Sequence, residues 1–370
     1  MSETFQLDSK EALYAVLHQL VKLRVSDIYI TAHKPLEIRK VGEVLGTSHV
    51  APSEDVIADF LNSVGDIKIK GLLSDVTQHP AGQIDGAISL PTGDADTSQR
   101  FRHNFFRVLD PDSKHQTVKL SLRPLSDKIP APEELLIPQR LVLDIDKMKQ
   151  GLILVCGKTG QGKSTTLASL LQHRANKFKE HIVTLEQPIE YILRSKSSSI
   201  SQREIGVSSD SFASGLRAAL RQSADAILVG EIRDRETAEI ALSAAESGHI
   251  VFGTLHTSNA AQSIERFVNI FPTETQPAIW NVLSTALRAI ICQVLVRDTE
   301  GHRVAVREIM LVNTSISSYI KKQDIQGVRR GMESGFNEFG MVNWGRAAEQ
   351  LAQQGIIGEQ IKKELIALGE

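Results

Sequence analysis

A glycine-rich loop between an apolar run and a helical segment constrains the fold of this chain more than any other feature. Residues 157–164 read GKTGQGKS and match the phosphate-binding pattern G-x-x-x-x-G-K-[ST] completely. The short apolar run 152–156 before the loop is typical of a buried parallel strand, and residues 165–174 after it predict a helix. The sequence therefore predicts a phosphate-binding P-loop at the start of a helix, where free backbone N–H groups favour anions.

Two residues at the end of the loop carry the chemistry that this pattern predicts. The Lys163 ammonium is expected to reach the β and γ phosphates of a nucleotide, and the Ser164 hydroxyl is expected to join the ligands of a magnesium ion. We therefore expect ATP and Mg2+ as the cofactors. The alternative is a glycine-rich turn without a ligand, but the flanking strand and helix argue against it.

The length of 370 residues and the spacing of prolines predict two domains. We expect an α+β domain over residues 1–123, a proline-rich interdomain linker over 124–150 and an ATPase domain over 151–370. In the last of these, apolar strands alternate with helices, which predicts a parallel sheet with helices on both faces. The predicted strands are 152–156, 182–185, 226–229 and 250–255, followed by a helix over 275–296, a strand over 304–311 and a set of small helices in the last fifty residues.

Polar side chains follow three of these strands at their carboxyl ends, where parallel sheets bind ligands. Glu231 is predicted to lie near magnesium, where it holds a metal-bound water or orients the attacking water. His256 is predicted to donate a hydrogen bond to the γ phosphate. Glu186 and Glu190 flank a proline, and one such carboxylate is needed to orient or deprotonate the attacking water. Acidic residues in solvent-exposed turns would give the same sequence pattern. The presence of the P-loop is what favours a role in the active site for these residues.

Composition excludes several classes of protein. The net charge of -2, from 42 basic and 44 acidic residues, gives no global attraction to nucleic acid, and no direct nucleic-acid binding is expected. The two cysteines, Cys156 and Cys292, exclude a disulfide framework and a four-cysteine zinc site and are predicted to be buried thiols. No apolar run approaches the roughly 20 residues of a transmembrane helix, so we expect an intracellular chain.

Four ordered blocks resemble one family. They are GKTGQGKSTT at 157–166, TLEQPIEY at 184–191, LVGEIRD at 228–234 and GHIVFGTLHTS at 248–258. They resemble the Walker A, Asp box, Walker B and His box of the secretion superfamily of traffic ATPases, in the short branch that holds PilT-like, DotB-like and TraJ-like members. This resemblance implies a PAS-like N-terminal domain, a RecA-like ATPase domain and a homohexameric ring in which ATP lies at the cleft between the two domains.

The resemblance also implies roles for individual residues. The implied catalytic residues are Glu190, Glu231, His256, Arg102 and Arg123, with the two arginines reaching the phosphates from the N-terminal domain. The implied nucleotide-binding residues are Gly157, Thr159, Gly160, Gln161, Gly162, Lys163, Ser164, Thr165 and Thr166. The implied metal ligands are Ser164 and Glu231.

Departures from the family pattern bear on which machine is served. Gln187 stands where retraction enzymes have the aspartate of the Asp box, and residues 316–322 replace a block associated with pilus retraction. We therefore expect a cytoplasmic ATPase that powers a type IV secretion or conjugation machine through inner-membrane partners, with pilus retraction as the alternative. Two alternative functions stay open, a nucleic-acid motor and a module that binds ATP as an assembly switch without turnover. The near-neutral charge and an aromatic content of 5% disfavour the nucleic-acid motor.

Overall fold

The computed structural model describes residues 5–40, 43–64, 83–91 and 98–369. The chain divides into two compact units. The first unit comprises Met1–Lys128 together with the short segment Pro188–Tyr191, and the second comprises Ile129–Gln187 and Ile192–Glu370. The predicted linker therefore contributes to both units, and its role as an interdomain linker stays a prediction.

The first unit is built on a mixed sheet with two described helices. Its strands are β1 Phe5–Gln6, β2 Asp27–Thr31, β3 Pro35–Lys40, β4 Glu43–Val50, β5 Gln83–Pro91, β6 Ser98–Leu109 and β7 Gln116–Pro124, and its helices are α1 Lys10–Lys22 and α2 Glu54–Val64. The strand order is β1-β4-β3-β2-β7-β6-β5, and every described pairing except β1 with β4 is antiparallel. Helix α1 begins where the Ser9 side chain accepts a hydrogen bond from Ala12 N, and its apolar face is buried in the core of this unit.

The second unit holds the predicted parallel sheet. Its strands are β8 Gly151–Cys156, β9 His181–Glu186, β10 Ser199–Glu204, β11 Ala226–Val229, β12 Ile250–Leu255, β13 Leu287–Arg297 and β14 Arg303–Leu311. Its helices are α3 Gln139–Lys147, α4 Lys163–Lys177, α5 Phe212–Leu220, α6 Arg235–Glu246, α7 Ala260–Val268, α8 Gln276–Ala286, α9 Thr314–Lys321, α10 Ile325–Ser334, α11 Phe336–Phe339, α12 Trp344–Gln353 and α13 Glu359–Ala367.

The order of this second sheet decides which strand ends become neighbours. The order is β10-β9-β11-β12-β8-β13-β14, and all neighbours run parallel except the last pair. Strands β8, β11 and β12 are buried along their whole length, as their unbroken apolar sequences predict. The carboxyl ends of β9, β11, β12 and β8 therefore lie side by side, about 4.8 Å apart from strand to strand.

The prediction of one helix over 275–296 is wrong in its second half. Helix α8 ends at Ala286, and residues 287–297 form β13. This strand pairs with β8 on one side and with β14 on the other, so both of its edges are hydrogen-bonded. A continuous apolar run has no periodicity that separates a buried helix from a buried strand, and long-range pairing decides the outcome here. Cys292, predicted in a helix-like run, lies on β13 and is a buried free thiol, as is Cys156.

The structure contains elements that the sequence does not predict, among them strands β7 and β10 and helix α3. Helix α3 lies within the proline-rich stretch and buries Leu141, Val142 and Ile145. Strand β14 is hydrogen-bonded to a segment near the C-terminal helices, because Ile309 and Val342 form an isolated antiparallel bridge. This bridge attaches the segment before α12 to the outermost strand of the sheet.

Candidate active site

The P-loop follows β8 directly and has the backbone that its glycines predict. Gly162 caps α4 in the left-handed conformation at φ 76°, a region that side chains disfavour. Gly157 has φ 146°, and a Cβ there would lie 2.5 Å from the carbonyl oxygen of Gln293. Strand β13 therefore passes so close to the loop that only glycine fits at this position. The first turn of α4 opens toward the loop, which is the arrangement that binds phosphates.

The Lys163 side chain lies over the loop itself. Its ammonium donates to the carbonyl oxygen of Gly157 and, at 3.3 Å, to that of Lys158. The positive charge and the helix N-terminus thus face the same small volume, and both stabilise an anion there. This geometry supports the predicted role of Lys163 as a phosphate ligand.

Two residues predicted to contact nucleotide are held by β13 instead of pointing outward. The Gln161 side-chain oxygen accepts from Leu295 N, and the carbonyl oxygen of Gln161 accepts from Gln293 Nε2 at 2.6 Å. Thr166 is buried, and its hydroxyl donates to Gln293 Oε1 at 2.7 Å. Their direct contact with nucleotide stays a prediction, whereas their contacts fix the position of the loop. Thr159 and Gly160 are exposed at the tip of the loop, and Gly162, Ser164 and Thr165 are half-buried.

The predicted acid and histidine after β11 and β12 come together. His256 Nε2 lies 2.9 Å from Glu231 Oε1, and the guanidinium of Arg233 contacts the same oxygen. Gly230 before the acid is fixed between its neighbours, because its N–H donates to Leu185 O and its carbonyl accepts from the Thr254 hydroxyl. The sheet order therefore presents a carboxylate and an imidazole on adjacent strand ends, beside the strand that carries the P-loop.

The turn after β9 places Glu190 in the first unit. Arg100 on β6 is buried, and its guanidinium donates to Ile189 O at 2.7 Å and to Glu190 O at 3.2 Å. Arg102, two residues along the same strand, lies 4.0 Å from the Glu190 carboxylate. Arg102 and Glu190, both predicted to be catalytic, are thus adjacent. Sequence reasoning missed Arg100, although residues 100 and 102 share one face of a strand because side chains alternate with period two.

Two other predicted residues have different partners. Arg123 donates to the Asp27 carboxylate at 2.8 Å within the first unit. The Glu186 carboxylate accepts from the Thr184 hydroxyl at 2.6 Å and from Gln202 Nε2 at 3.2 Å. These contacts hold the Glu186 carboxylate at the end of β9, whereas the Glu190 carboxylate lies near Arg102. The catalytic role of Arg123 stays a prediction.

Comparisons with known proteins show the family of this chain. A family model described as Type II/IV secretion system protein matches residues 137–337, more than half of the chain. The chain belongs to this family. A relative that covers more of it is the uncharacterized protein YggR of Escherichia coli strain K12, which is 36% identical over 336 residues, 90% of this chain and 96% of the relative.

Solved structures of this secretion family match almost the whole chain. The crystal structure of the pilus retraction motor PilT with bound ADP has a TM-score of 0.82 and 36% identity, covering 95% of this chain and 96% of that one. The ATPase DotB of Legionella pneumophila has a TM-score of 0.78 and 28% identity, covering 97% and 96%. The predictions of a PilT- and DotB-like traffic ATPase, and of an α/β fold with an N-terminal domain and an ATPase domain, are confirmed. No helix in the described ranges is long and apolar enough to cross a membrane.

The two side chains predicted as magnesium ligands both carry oxygen. The Ser164 hydroxyl lies at the start of α4, and the Glu231 carboxylate is mostly buried at the end of β11. Hydroxyl, carboxylate and phosphate oxygens are the ligands that Mg2+ prefers, usually with only one or two carboxylates from the protein. The residues therefore fit the ion, and a bound Mg2+ would neutralise phosphate charge.

Sequence reasoning missed three polar residues of β13 and β14 in this secretion-family ATPase. Gln293, Arg307 and Glu308 are buried. Gln293 contacts Gln161, Arg307 contacts Thr166, and Glu308 contacts Ala260. Charged residues within an otherwise apolar strand are the signal that could have found the last two, since unpaired charges are seldom fully buried.

The buried carboxyl group of Glu308 is expected to make the free energy of unfolding depend on pH. Its carboxylate accepts from Ala260 N at 2.6 Å and from Trp344 N, so it holds the N-termini of α7 and α12. Burial raises the pKa of this carboxyl from 4.5 to about 7. Because the folded pKa is above the unfolded one, its contribution is fully present below pH 4.5 and is lost as the pH rises through 7.

We expect Glu308→Gln to remove this loss, because glutamine keeps an acceptor for Ala260 N without a charge. The free energy of unfolding of the variant should exceed that of the wild type by on the order of 3 kcal/mol at pH 8, and the difference should shrink toward pH 5. Urea unfolding of both proteins across this range measures it, with the exposed Glu239→Gln as the control. Parallel curves for wild type and Glu308→Gln would contradict the assignment.

Proposed function

We propose that this ATPase acts as a ring of six copies that powers a type IV secretion or conjugation machine at the cytoplasmic face of the inner membrane. The observation that carries the ATPase part of the proposal is the contact of His256 with Glu231 on the strand ends next to the P-loop. This arrangement supplies a γ-phosphate contact, a magnesium ligand and a phosphate loop along one sheet edge. Similarity to DotB over 97% of the chain supports the secretion machine.

In this proposal, water attacks the γ phosphoryl in line with the leaving β-phosphate oxygen. Glu190 orients or deprotonates the water, while Lys163 and the N–H groups of the loop stabilise the charge that develops on the phosphate oxygens. Arg102 neutralises further charge, as an arginine finger does. His256 donates to the γ phosphate, so its contact with Glu231 reports whether ATP or ADP is bound.

Pilus retraction is the second candidate, and a specific observation favours it. The retraction motor PilT is 36% identical to this chain, whereas DotB is 28% identical. The replaced block at residues 316–322, which forms most of α9, argues in the other direction. The two candidates share the ATPase chemistry and the ring, and they differ in the membrane platform that the ring contacts.

Deletion of the gene in its native host separates the candidates. We expect loss of conjugative or effector transfer with normal surface motility, and restoration by the wild-type gene but not by a Lys163→Ala copy. Loss of twitching motility with normal transfer would replace the secretion proposal with retraction. Native mass spectrometry with ATP and Mg2+ is expected to give six copies, and a monomer under all nucleotide conditions would contradict the ring. Stimulation of turnover by single-stranded DNA would favour a nucleic-acid motor instead.

A further inference from the structure

Arg307 is a buried cation behind the P-loop. It lies on β14, is 6% exposed and donates three hydrogen bonds. Nε donates to Gln293 Oε1 at 2.9 Å, Nη1 to the carbonyl oxygen of Leu135 at 2.7 Å and Nη2 to the Thr166 hydroxyl at 3.3 Å. All three acceptors are neutral. A guanidinium in such a place is unusual, because buried charges are normally paired with an opposite charge.

The partners of the Arg307 guanidinium in the described structure are neutral groups. No ion pair of Arg307 occurs among the residues that the structure describes. Glu308 is next in sequence, but its carboxylate accepts from Ala260 N, as expected from the alternation of side chains along a strand. Burial lowers the pKa of Arg307 only to about 10, so the guanidinium is charged at neutral pH.

The Gln293 side chain connects Arg307 to the P-loop through hydrogen bonds. A guanidinium only donates, so Gln293 must turn its oxygen toward Arg307 and its nitrogen the other way. That nitrogen donates to the carbonyl oxygen of Gln161 at 2.6 Å, within the phosphate-binding pattern. Thr166, in the first part of α4, donates to the same Gln293 oxygen. One buried cation therefore fixes both the loop and the start of its helix.

We infer that Arg307 is a positioning residue for the nucleotide, which orders the P-loop through Gln293 and Thr166 and whose positive charge is balanced by the phosphates of the bound nucleotide. This inference rests on nucleotide binding at the P-loop. The attraction between Arg307 and a nucleotide increases with the negative charge of the nucleotide. Loss of the Arg307 charge should therefore weaken the binding of ATP more than the binding of ADP.

Neutral substitution of Arg307 tests the inference. We expect Arg307→Gln to weaken binding of ATP roughly tenfold and binding of ADP by a smaller factor. The control is Arg303→Gln, which removes an arginine from an exposed position of the same strand and should leave both affinities unchanged. Dissociation constants are measured by calorimetry without magnesium, and circular dichroism without nucleotide verifies the fold. Equal losses for ATP and ADP, or none, would overturn the inference.

Arg307→Lys gives a second readout. Lysine keeps a positive charge at this position but lacks the planar guanidinium. Arg307→Lys should therefore retain more ATP affinity than Arg307→Gln, and equal losses of ATP affinity in the two variants would overturn the inference. Lys163→Ala separates the inference from its premise. If Lys163→Ala binds ATP like wild type, the P-loop assignment itself fails, whereas normal ATP binding by Arg307→Gln alone overturns only the role of Arg307.

Discussion

Lys163→Ala is expected to reduce ATP binding and turnover by roughly a hundredfold or more. The Lys163 ammonium is held over the loop by the carbonyl oxygens of Gly157 and Lys158, beside the start of α4. Its removal leaves only the loop N–H groups and the helix dipole to balance the phosphates. Phosphate release at saturating ATP and equilibrium binding of a fluorescent ATP analogue measure the two losses separately.

The loop offers a matched control for this substitution. Lys158 is exposed in the same loop, and only its backbone oxygen contacts Lys163 in the described structure. Lys158→Ala removes the same side chain and should retain ATP binding within a few-fold. Equal losses in both variants would mean that general loop charge, rather than the position of Lys163, binds the phosphates.

Glu190→Gln is expected to bind ATP and fail to hydrolyse it, with turnover lower by roughly a factor of a hundred to ten thousand. Glutamine keeps the size of the side chain and the turn that Arg100 holds through the Ile189 and Glu190 carbonyl groups. It cannot accept a proton from water. Nucleotide extracted from the purified variant after incubation with ATP and Mg2+ should be ATP, whereas the wild type should contain ADP.

Glu186→Gln is the matched control, because it changes a carboxylate of the same segment. Glu186 accepts from Thr184 and Gln202, so we assign it to holding the end of β9. Its turnover should stay within about tenfold of the wild type. If Glu186→Gln trapped ATP and Glu190→Gln turned over normally, the two roles would have to be exchanged.

Local sequence patterns account for much of the fold and of the candidate site. The P-loop, its flanking strand and its helix follow from glycine spacing and an apolar run. The positions of Glu231 and His256 follow from the rule that parallel strands present their carboxyl ends at one edge. Such features depend on neighbours in sequence or on a general property of sheets, so a single sequence predicts them.

Features that depend on distant pairing could not be predicted in the same way. The apolar run of β13 is compatible with a helix and with a strand, and only its pairing with β8 and β14 decides between them. Arg100 binds a turn 89 residues away in sequence. Gln293 contacts Gln161 across 132 positions, and no local pattern relates two such residues.

The hairpin of β13 and β14 has a mechanical consequence. Its two strands pair continuously from Ala289 with Leu311 to Arg297 with Arg303, and β13 also pairs with β8. One end of this stiff ribbon is bonded to the P-loop through Gln161, and its outer strand is bridged to Val342 before α12. A displacement of the segment before α12 is therefore expected to reach the P-loop through these hydrogen bonds in series.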